Sequence, residues 1–287
     1  MIDGNTRLIA HIGHPTHTFK SPLIYNPYFE AAGINAVVVP MDCTAANFAQ
    51  VLQAVFSLGN TIGALITMPH KVAVVDLLAE VTATVRVAGA CNAVRQTADG
   101  RLVGDMFDGE GFVRGMTRKG FNPAGKSALI IGAGGVGSAI AASLAGAGVS
   151  AIALFDTNPV TARALANRLR SYYPRLPITT ATADPAGFDL VVNASPLGMN
   201  DDDPPPLDFG RLSANSFVGE VVLKREATPL VAAARSLGCQ TVVGTDMLFE
   251  QIPAYLEFFG LPTTTAAHLR SLARLGDASA VTNSQET

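Results

Sequence analysis

The residues best suited to chemistry begin with Gly132-Ala133-Gly134-Gly135-Val136-Gly137, a GxGxxG spacing set between an apolar run, Ser127 to Ile131, and an Ala-rich helical pattern, Ser138 to Ala147. That order predicts a strand, a tight turn and a helix. The first glycine permits the turn and the second lets backbone N–H groups approach a pyrophosphate. The third lets the helix pack on the sheet, with its N-terminal dipole facing the phosphates. The next apolar run, Ala151 to Phe155, ends on Asp156, 19 residues after Gly137. A carboxylate there can accept hydrogen bonds from an adenosine ribose. The expected dinucleotide site is therefore Gly132, Gly134, Gly135, Val136, Gly137 and Asp156.

Four further segments each place a polar side chain at a strand end or turn, where it can face a cleft: Thr67-Met68-Pro69-His70-Lys71, Gly89 to Val94, Gly104-Asp105-Met106-Phe107-Asp108-Gly109, and Gly244-Thr245-Asp246-Met247-Leu248-Phe249-Glu250-Gln251. Other polar clusters carry less. His11, His14 and His17 recur every third residue, but Pro15 breaks a helix there and no Cys or carboxylate completes a ligand set nearby. Asp201-Asp202-Asp203-Pro204-Pro205-Pro206 reads as a solvated loop. No metal is expected.

The elements that must position these residues alternate. Leu8 to Ile12, Ala36 to Pro40, Ala64 to Thr67 and Cys91 to Val94 read as short buried strands, with helical patterns starting near Ser21-Pro22, Thr44 and Pro69-His70. A second series has strands at Ser127 to Ile131, Ala151 to Asp156, Leu190 to Asn193, Phe217 to Val222 and Thr241 to Val243. Its helices are read at Pro159 to Tyr172 and Thr228 to Leu237. Helices at Met247 to Phe259 and Thr264 to Arg274 follow, then a polar tail, Asp277 to Thr287, expected to be disordered. The fold class is α/β with mostly parallel sheets. Ser127 to Phe155 has no charged residue, yet six glycines cut it into strand, turn and helix, so burial rather than a bilayer accounts for its apolarity.

Composition narrows the function classes. A net charge of −3 from 20 basic and 23 acidic residues, without a basic run, gives no basis for binding nucleic acid or anionic membrane. Cys43, Cys91 and Cys239 are odd in number and widely spaced, which suits reduced packing residues. No basic segment followed by an apolar stretch opens the chain, so a cytoplasmic location and a small-molecule partner are expected.

With Gly13-His14-Pro15, Lys20-Ser21-Pro22 and Asn193-Ala194-Ser195-Pro196-Leu197-Gly198-Met199, the four segments resemble the shikimate dehydrogenase family in type, order and spacing over roughly Leu8 to Phe259. The resemblance implies a substrate domain of residues 1–108 plus 246–287 and an NAD-binding Rossmann domain of residues 109–245. It implies an oxidoreductase that moves hydride between NAD(H) and the ring hydroxyl or ketone of shikimate or a related cyclic hydroxy acid, as monomer or homodimer. Lys71 and Asp108 would be the catalytic pair. Ser21, Thr67, Asn92 and Gln251 would bind substrate, with Asn193, Ser195 and Gly244 added to the cofactor site. The pair makes chemical sense: oxidising a secondary alcohol requires a group that takes the hydroxyl proton as hydride leaves. Lys71 is expected to transfer it and Asp108 to hold the ammonium in register. Two alternatives are a non-catalytic NAD-binding sensor on the same fold, and a dehydrogenase for quinate, aminoshikimate or a less polar ring alcohol.

Departures from the family pattern bear on substrate and cofactor. Phe19 stands where a serine is usual, Leu65 where an asparagine is, Met106-Phe107 where Asn-Thr is, and Leu223 where a tyrosine is common. The expectation is a less polar pocket and weak turnover of shikimate. Losing two or three neutral hydrogen bonds costs roughly one to three orders of magnitude in kcat/KM. Lys20, Lys224 or Arg225 are candidate replacements for carboxylate binding. Family members that use NADP commonly carry Asn-Arg-Thr where this chain has Asp156-Thr157-Asn158, so NAD is the expected cofactor.

Overall fold

The computed structural model describes residues 2–180, 182–225 and 227–275; the tail expected at Asp277 to Thr287 lies outside the described residues. In chain order the elements are β1 (Arg7–Gly13), α1 (Pro22–Ala31), β2 (Ala36–Asp42), α2 (Phe48–Phe56), β3 (Thr61–Ile66), β4 (Glu80–Val81), α3 (Ala83–Ala88), β5 (Ala93–Gln96), β6 (Leu102–Asp105) and α4 (Asp108–Arg118). Then follow β7 (Ser127–Ile131), α5 (Gly135–Gly146), β8 (Ala151–Phe155), α6 (Pro159–Tyr172), β9 (Ile178–Thr180), β10 (Leu190–Asn193), β11 (Phe217–Glu220), α7 (Pro229–Ser236), β12 (Thr241–Val242), α8 (Gly244–Phe258) and α9 (Ala266–Leu272). Both series are α/β.

The chain divides into two compact units: residues up to His70 with those from Thr264 on, and Lys71–Thr263. The first unit has β1 between β2 and β3, all parallel. Asn26 of α1 closes the outer side of β2, its amide donating to the Val38 carbonyl at 3.0 Å and accepting from the Val38 N–H at 2.8 Å. The C-terminal α9 packs on α1, where the Arg274 N–H donates to the Leu23 carbonyl at 2.9 Å.

The second unit carries the strand order β9-β8-β7-β10-β11-β12, all parallel, the doubly wound arrangement of a Rossmann fold. The apolar run of β7 shows why both faces are covered. Ala128 and Ile130 point into a core with α5, α6, Phe112 and Met116, whereas Leu129 and Ile131 point into a second core with Leu230 and Ala234 of α7. The order reverses between β7 and β10, which opens a crevice at their C-terminal ends. In the same unit β5 runs antiparallel to β6, and β4 parallel to it.

This division differs from the expected one at 108/109 and 245/246: residues 71–108 and α8 group with the nucleotide-type sheet. The packing explains it. Helix α4 lies against both α5 and α8, with glycines at the crossings. A Cβ on Gly109 would run into the Ala139 carbonyl, and one on Gly111 would lie 2.6 Å from the Met247 carbonyl oxygen and 2.7 Å from the Gln251 Cβ. Alanine at 111 improves intrinsic helix propensity by about 1 kcal/mol. Overpacking against a backbone carbonyl, which no rotamer change relieves, costs about 1–3 kcal/mol. Gly111→Ala is therefore expected to lower the thermal midpoint by several degrees in a calorimetric or fluorescence melt; an unchanged or raised midpoint would show that the α4–α8 crossing has slack.

Candidate active site

Lys71 opens the second unit, just before a short 3-10 turn, Ala73–Leu77, and its carbonyl accepts from the Cys91 N–H at 2.8 Å. Its Nζ donates to Asp108 Oδ2 at 2.6 Å, with the lysine side chain 18% and the aspartate 6% exposed. Asp108 is the first residue of α4, where the helix dipole favours a carboxylate. The N-cap is Phe107, without a side-chain cap bond, and the Asp108 carboxylate faces Lys71. Its other oxygen, Oδ1, accepts from Asn92 Nδ2 at 2.9 Å, and Asn92 Oδ1 accepts from the Phe107 N–H at 2.9 Å. Asn92 is fully buried and its own N–H donates to the Asp105 carbonyl at 3.0 Å. Three of the expected site residues, Lys71, Asn92 and Asp108, thus meet around one carboxylate. Arg168 of α6 donates from Nε to the Val87 carbonyl at 2.6 Å, near the end of α3.

Gln251, on α8, packs across from Gly111 in the first turn of α4, and its Oε1 is buried without a hydrogen-bond partner. An orphaned buried acceptor close to the start of α4 suits a ligand hydroxyl. Ser21 and Thr67 lie in the first unit. Ser21 precedes α1 and makes no cap bond. Thr67 follows β3, with its methyl turned toward Gly13, where the Phe19 ring edge also lies.

The glycine turn after β7 fits a dinucleotide. A Cβ at Gly137 would run into the Gly132 carbonyl, and one at Gly132, where φ is +98°, would lie 2.7 Å from the Ala194 carbonyl oxygen. Nothing lies within 4 Å of a Cβ at Gly134, and that residue caps α5, whose first turn has neither a side-chain cap nor an acid. The positive end of a 12-residue helix therefore faces open space. Gly135 faces Ala90, two residues before Asn92, with 3.8 Å between its notional Cβ and that of Ala90. The loop and the Lys71–Asp108 pair are thereby neighbours. Asp156 Oδ2 accepts from the Ala133 N–H and Oδ1 from the Asn158 N–H, each at 2.8 Å. Gly244 opens α8 where a Cβ would lie 2.7 Å from the Val221 and Val222 carbonyl oxygens.

Asn193 and Ser195 serve the fold as well as the crevice. The buried Asn193 amide donates to the Leu197 carbonyl at 2.9 Å and to both oxygens of Glu220 at 3.1 Å. Its Oδ1 accepts from the Ser195 N–H at 3.1 Å and hydroxyl at 2.6 Å. Glu220 is the residue that sequence reasoning missed. Its signal is an acid ending the apolar strand Phe217-Val218-Gly219, the same relation that Asp156 bears to Ala151 to Phe155.

Two of the apolar replacements do not line an open surface. Leu65 sits inside β3 at 4% exposure, and Phe107, at 6%, packs edge-on to Tyr255 and Phe258 of α8 with ring centroids at 4.9 and 5.6 Å. Both side chains are packed in apolar surroundings, where their burial is favourable. Phe19 stacks on His11 at 4.0 Å. Of the candidate cations, Lys224 donates to Asn200 at 3.1 Å and Arg225 pairs with Asp201 at 2.7 Å. All three cysteines are free and buried, and burial pushes the Cys91 thiol up to about 12. Among the described residues no group of three His, Cys, Asp or Glu side chains could hold a metal ion, and no helix is long and apolar enough to cross a membrane.

Residues 11–94 match the model of the shikimate dehydrogenase substrate binding domain, and residues 124–169, from β7 into α6, match that of the ThiF family. A shikimate dehydrogenase (NADP(+)) of Rubrobacter xylanophilus is 35% identical over 280 residues, covering 96% of this chain and 98% of that one. The chain belongs to the shikimate dehydrogenase family. It is an oxidoreductase on a nicotinamide-dinucleotide fold. Quinate dehydrogenase from Corynebacterium glutamicum in complex with NAD superposes with a TM-score of 0.84 at 32% identity, covering 93% of this chain and 98% of that one. Shikimate 5-dehydrogenase from Listeria monocytogenes in complex with shikimate and NAD gives a TM-score of 0.88 at 25% identity, covering 94% and 97%. Because a methyl at 137 would displace the Gly132 carbonyl, Gly137→Ala is expected to weaken NADH or NADPH binding by about tenfold or more. Fluorescence titration checks this, and wild-type affinity would sink the phosphate-loop assignment.

Proposed function

We propose that the protein interconverts a ring hydroxyl and ketone on shikimate, quinate or a close relative, with NAD preferred. The observation that carries this reading is the buried Lys71–Asp108 pair, fixed by Asn92 and set beside the phosphate loop through the Ala90–Gly135 approach. Bound nicotinamide supplies the hydride acceptor and donor. Lys71 manages the proton: as an ammonium it protonates the carbonyl oxygen in the reducing direction, and as a neutral amine it takes the hydroxyl proton in the oxidising one. Asp108 holds Nζ in place, and Asn92 stops the carboxylate from rotating away. Gln251, through its buried Oε1, is assigned to a substrate hydroxyl. Ser21 and Thr67, in the first unit, are assigned to substrate by family pattern, and residues 1–108 with 246–287 to the substrate-binding part.

The preference for NAD rests on Asp156. Each of its carboxylate oxygens takes one N–H and keeps acceptor capacity for a ribose hydroxyl, whereas a 2'-phosphate would bring like charge against it. Arg163, exposed on α6, is the nearest cation along the chain that could offset that repulsion. The Rubrobacter relative named for NADP(+) points the other way, and the NAD-bound quinate dehydrogenase supports the assignment.

NADH or NADPH formation across shikimate, quinate, aminoshikimate and a less hydroxylated ring acid tests the reading. Expected are turnover of at least one ring acid, shikimate below biosynthetic efficiency, and a higher kcat/KM with NAD. A higher kcat/KM with NADP sinks the cofactor assignment. A silent panel with intact NADH binding favours a non-catalytic sensor. On a turned-over substrate, Lys71→Ala and Asp108→Asn should each lower kcat by about 10²–10⁴-fold while the NADH Kd stays within about twofold, and near wild-type kcat in either variant refutes the proton-transfer assignment.

A further inference from the structure

Glu220 ends β11 at 1% exposure, and burial pushes its carboxyl above the ordinary glutamate value against the pull of its hydrogen bonds. Those bonds all come from neutral donors: Asn193 Nδ2 to both oxygens, the Val222 N–H at 3.1 Å to Oε1, and the Thr228 hydroxyl at 2.9 Å to Oε2. The Thr228 oxygen already accepts from the Val231 N–H at the start of α7, so its hydrogen is directed at Glu220. An acceptor with four lone-pair sites thus meets only donors.

The consequence runs through Asn193. Its two amide hydrogens go to Glu220 and to the Leu197 carbonyl, so a flipped amide would set its oxygen against two acceptors. Only the observed orientation leaves Oδ1 to accept from the Ser195 N–H and hydroxyl. Residues 194 and 195 are the wall of the switch-point crevice that faces the phosphate loop: the Ala194 carbonyl oxygen and the Ser195 nitrogen lie 2.7 and 2.9 Å from where a Gly132 Cβ would be. We infer that Glu220 is a positioning residue for the dinucleotide, acting through Asn193 to hold the 194–198 wall of the crevice opposite the glycine loop. This rests on the dinucleotide reading above.

Glu220→Gln places an amide NH2 among donors, and Glu220→Asp keeps the charge but withdraws it from Asn193. ADP carries only the adenosine and diphosphate, which the glycine loop and Asp156 address, whereas NADH also needs the 194–198 wall. Titrating both ligands separates wall positioning from general destabilisation. Expected is an NADH Kd raised about tenfold or more in Glu220→Gln, and several-fold in Glu220→Asp, with the ADP Kd within about twofold of wild type. Equal weakening of both ligands, or no change in either, in whichever variant is folded, overturns the role of Glu220 while leaving the dinucleotide reading intact. A wild-type protein that binds neither NADH nor NADPH overturns both.

Discussion

A single carboxylate withdrawn from water, that of Asp108, constrains the arrangement around it. At 6% side-chain exposure it needs a cation and a donor, and it takes them from segments 37 and 16 residues away, Lys71 on Oδ2 and Asn92 on Oδ1. Removing one partner of such a buried pair costs about 3–5 kcal/mol, which is comparable with much of a domain's net stability. The chain must therefore bring the turn at Lys71 and the segment after α3 to the start of α4. The glycines at 109 and 111 belong to the same constraint, because they let α4 approach α5 and α8 closely enough for its first residue to sit there. Holding the fold and holding the Lys71 ammonium against Asp108 are one requirement at this site.

Two other acids show a second way of using a carboxylate. Asp156 follows β8 and Glu220 ends β11, one on each side of the β7–β10 reversal. Each anchors a loop on its side of the crevice: Asp156 takes the Ala133 N–H, and Glu220 takes the Asn193 amide that orders Ser195. Loops leaving the ends of parallel strands present unpaired N–H groups, and a carboxylate can accept several at once. Glu220 is met by neutral donors, whose pull only partly counters its burial. Asp108 differs in having a cation, Lys71, opposite it.

Much of this was legible in the sequence wherever pattern and context agreed. The β7–α5–β8 unit follows from an apolar run, spaced glycines and an Ala-rich helix, and α6 and β10 coincide with the ranges read from periodicity and caps. Short elements escaped. The two residues of β4, the three of β9 with both threonines exposed, and the six of α3 are below the length at which a period shows. A helix expected from Pro69-His70 is a turn and a 3-10 segment. Lys71, Asn92 and Asp108 were recognisable as motif residues, but their meeting at one carboxylate depends on segments distant in sequence. Residue type alone also could not show which way Leu65 and Phe107 point, because a leucine in a strand and a phenylalanine before a helix suit a pocket wall and a core equally well. Glu220 lies inside the strand read as Phe217 to Val222, and only the fold shows its burial and its four donor contacts.

The position of Asp156 links cofactor choice to loop geometry. Its two oxygens hold two different N–H groups, one in the glycine loop and one in the turn that caps α6. An asparagine at 156 has one acceptor oxygen and would retain only one of those bonds, while its NH2 would face a donor. Relaxing the negative charge to admit a 2'-phosphate therefore also loosens either the glycine loop or the start of α6. Selection for NADP at this position needs a compensating change in the turn at 157–158 as well as a cation. The carboxylate holds the glycine loop to the start of α6 and, on the proposed cofactor reading, is also the group that would repel a 2'-phosphate.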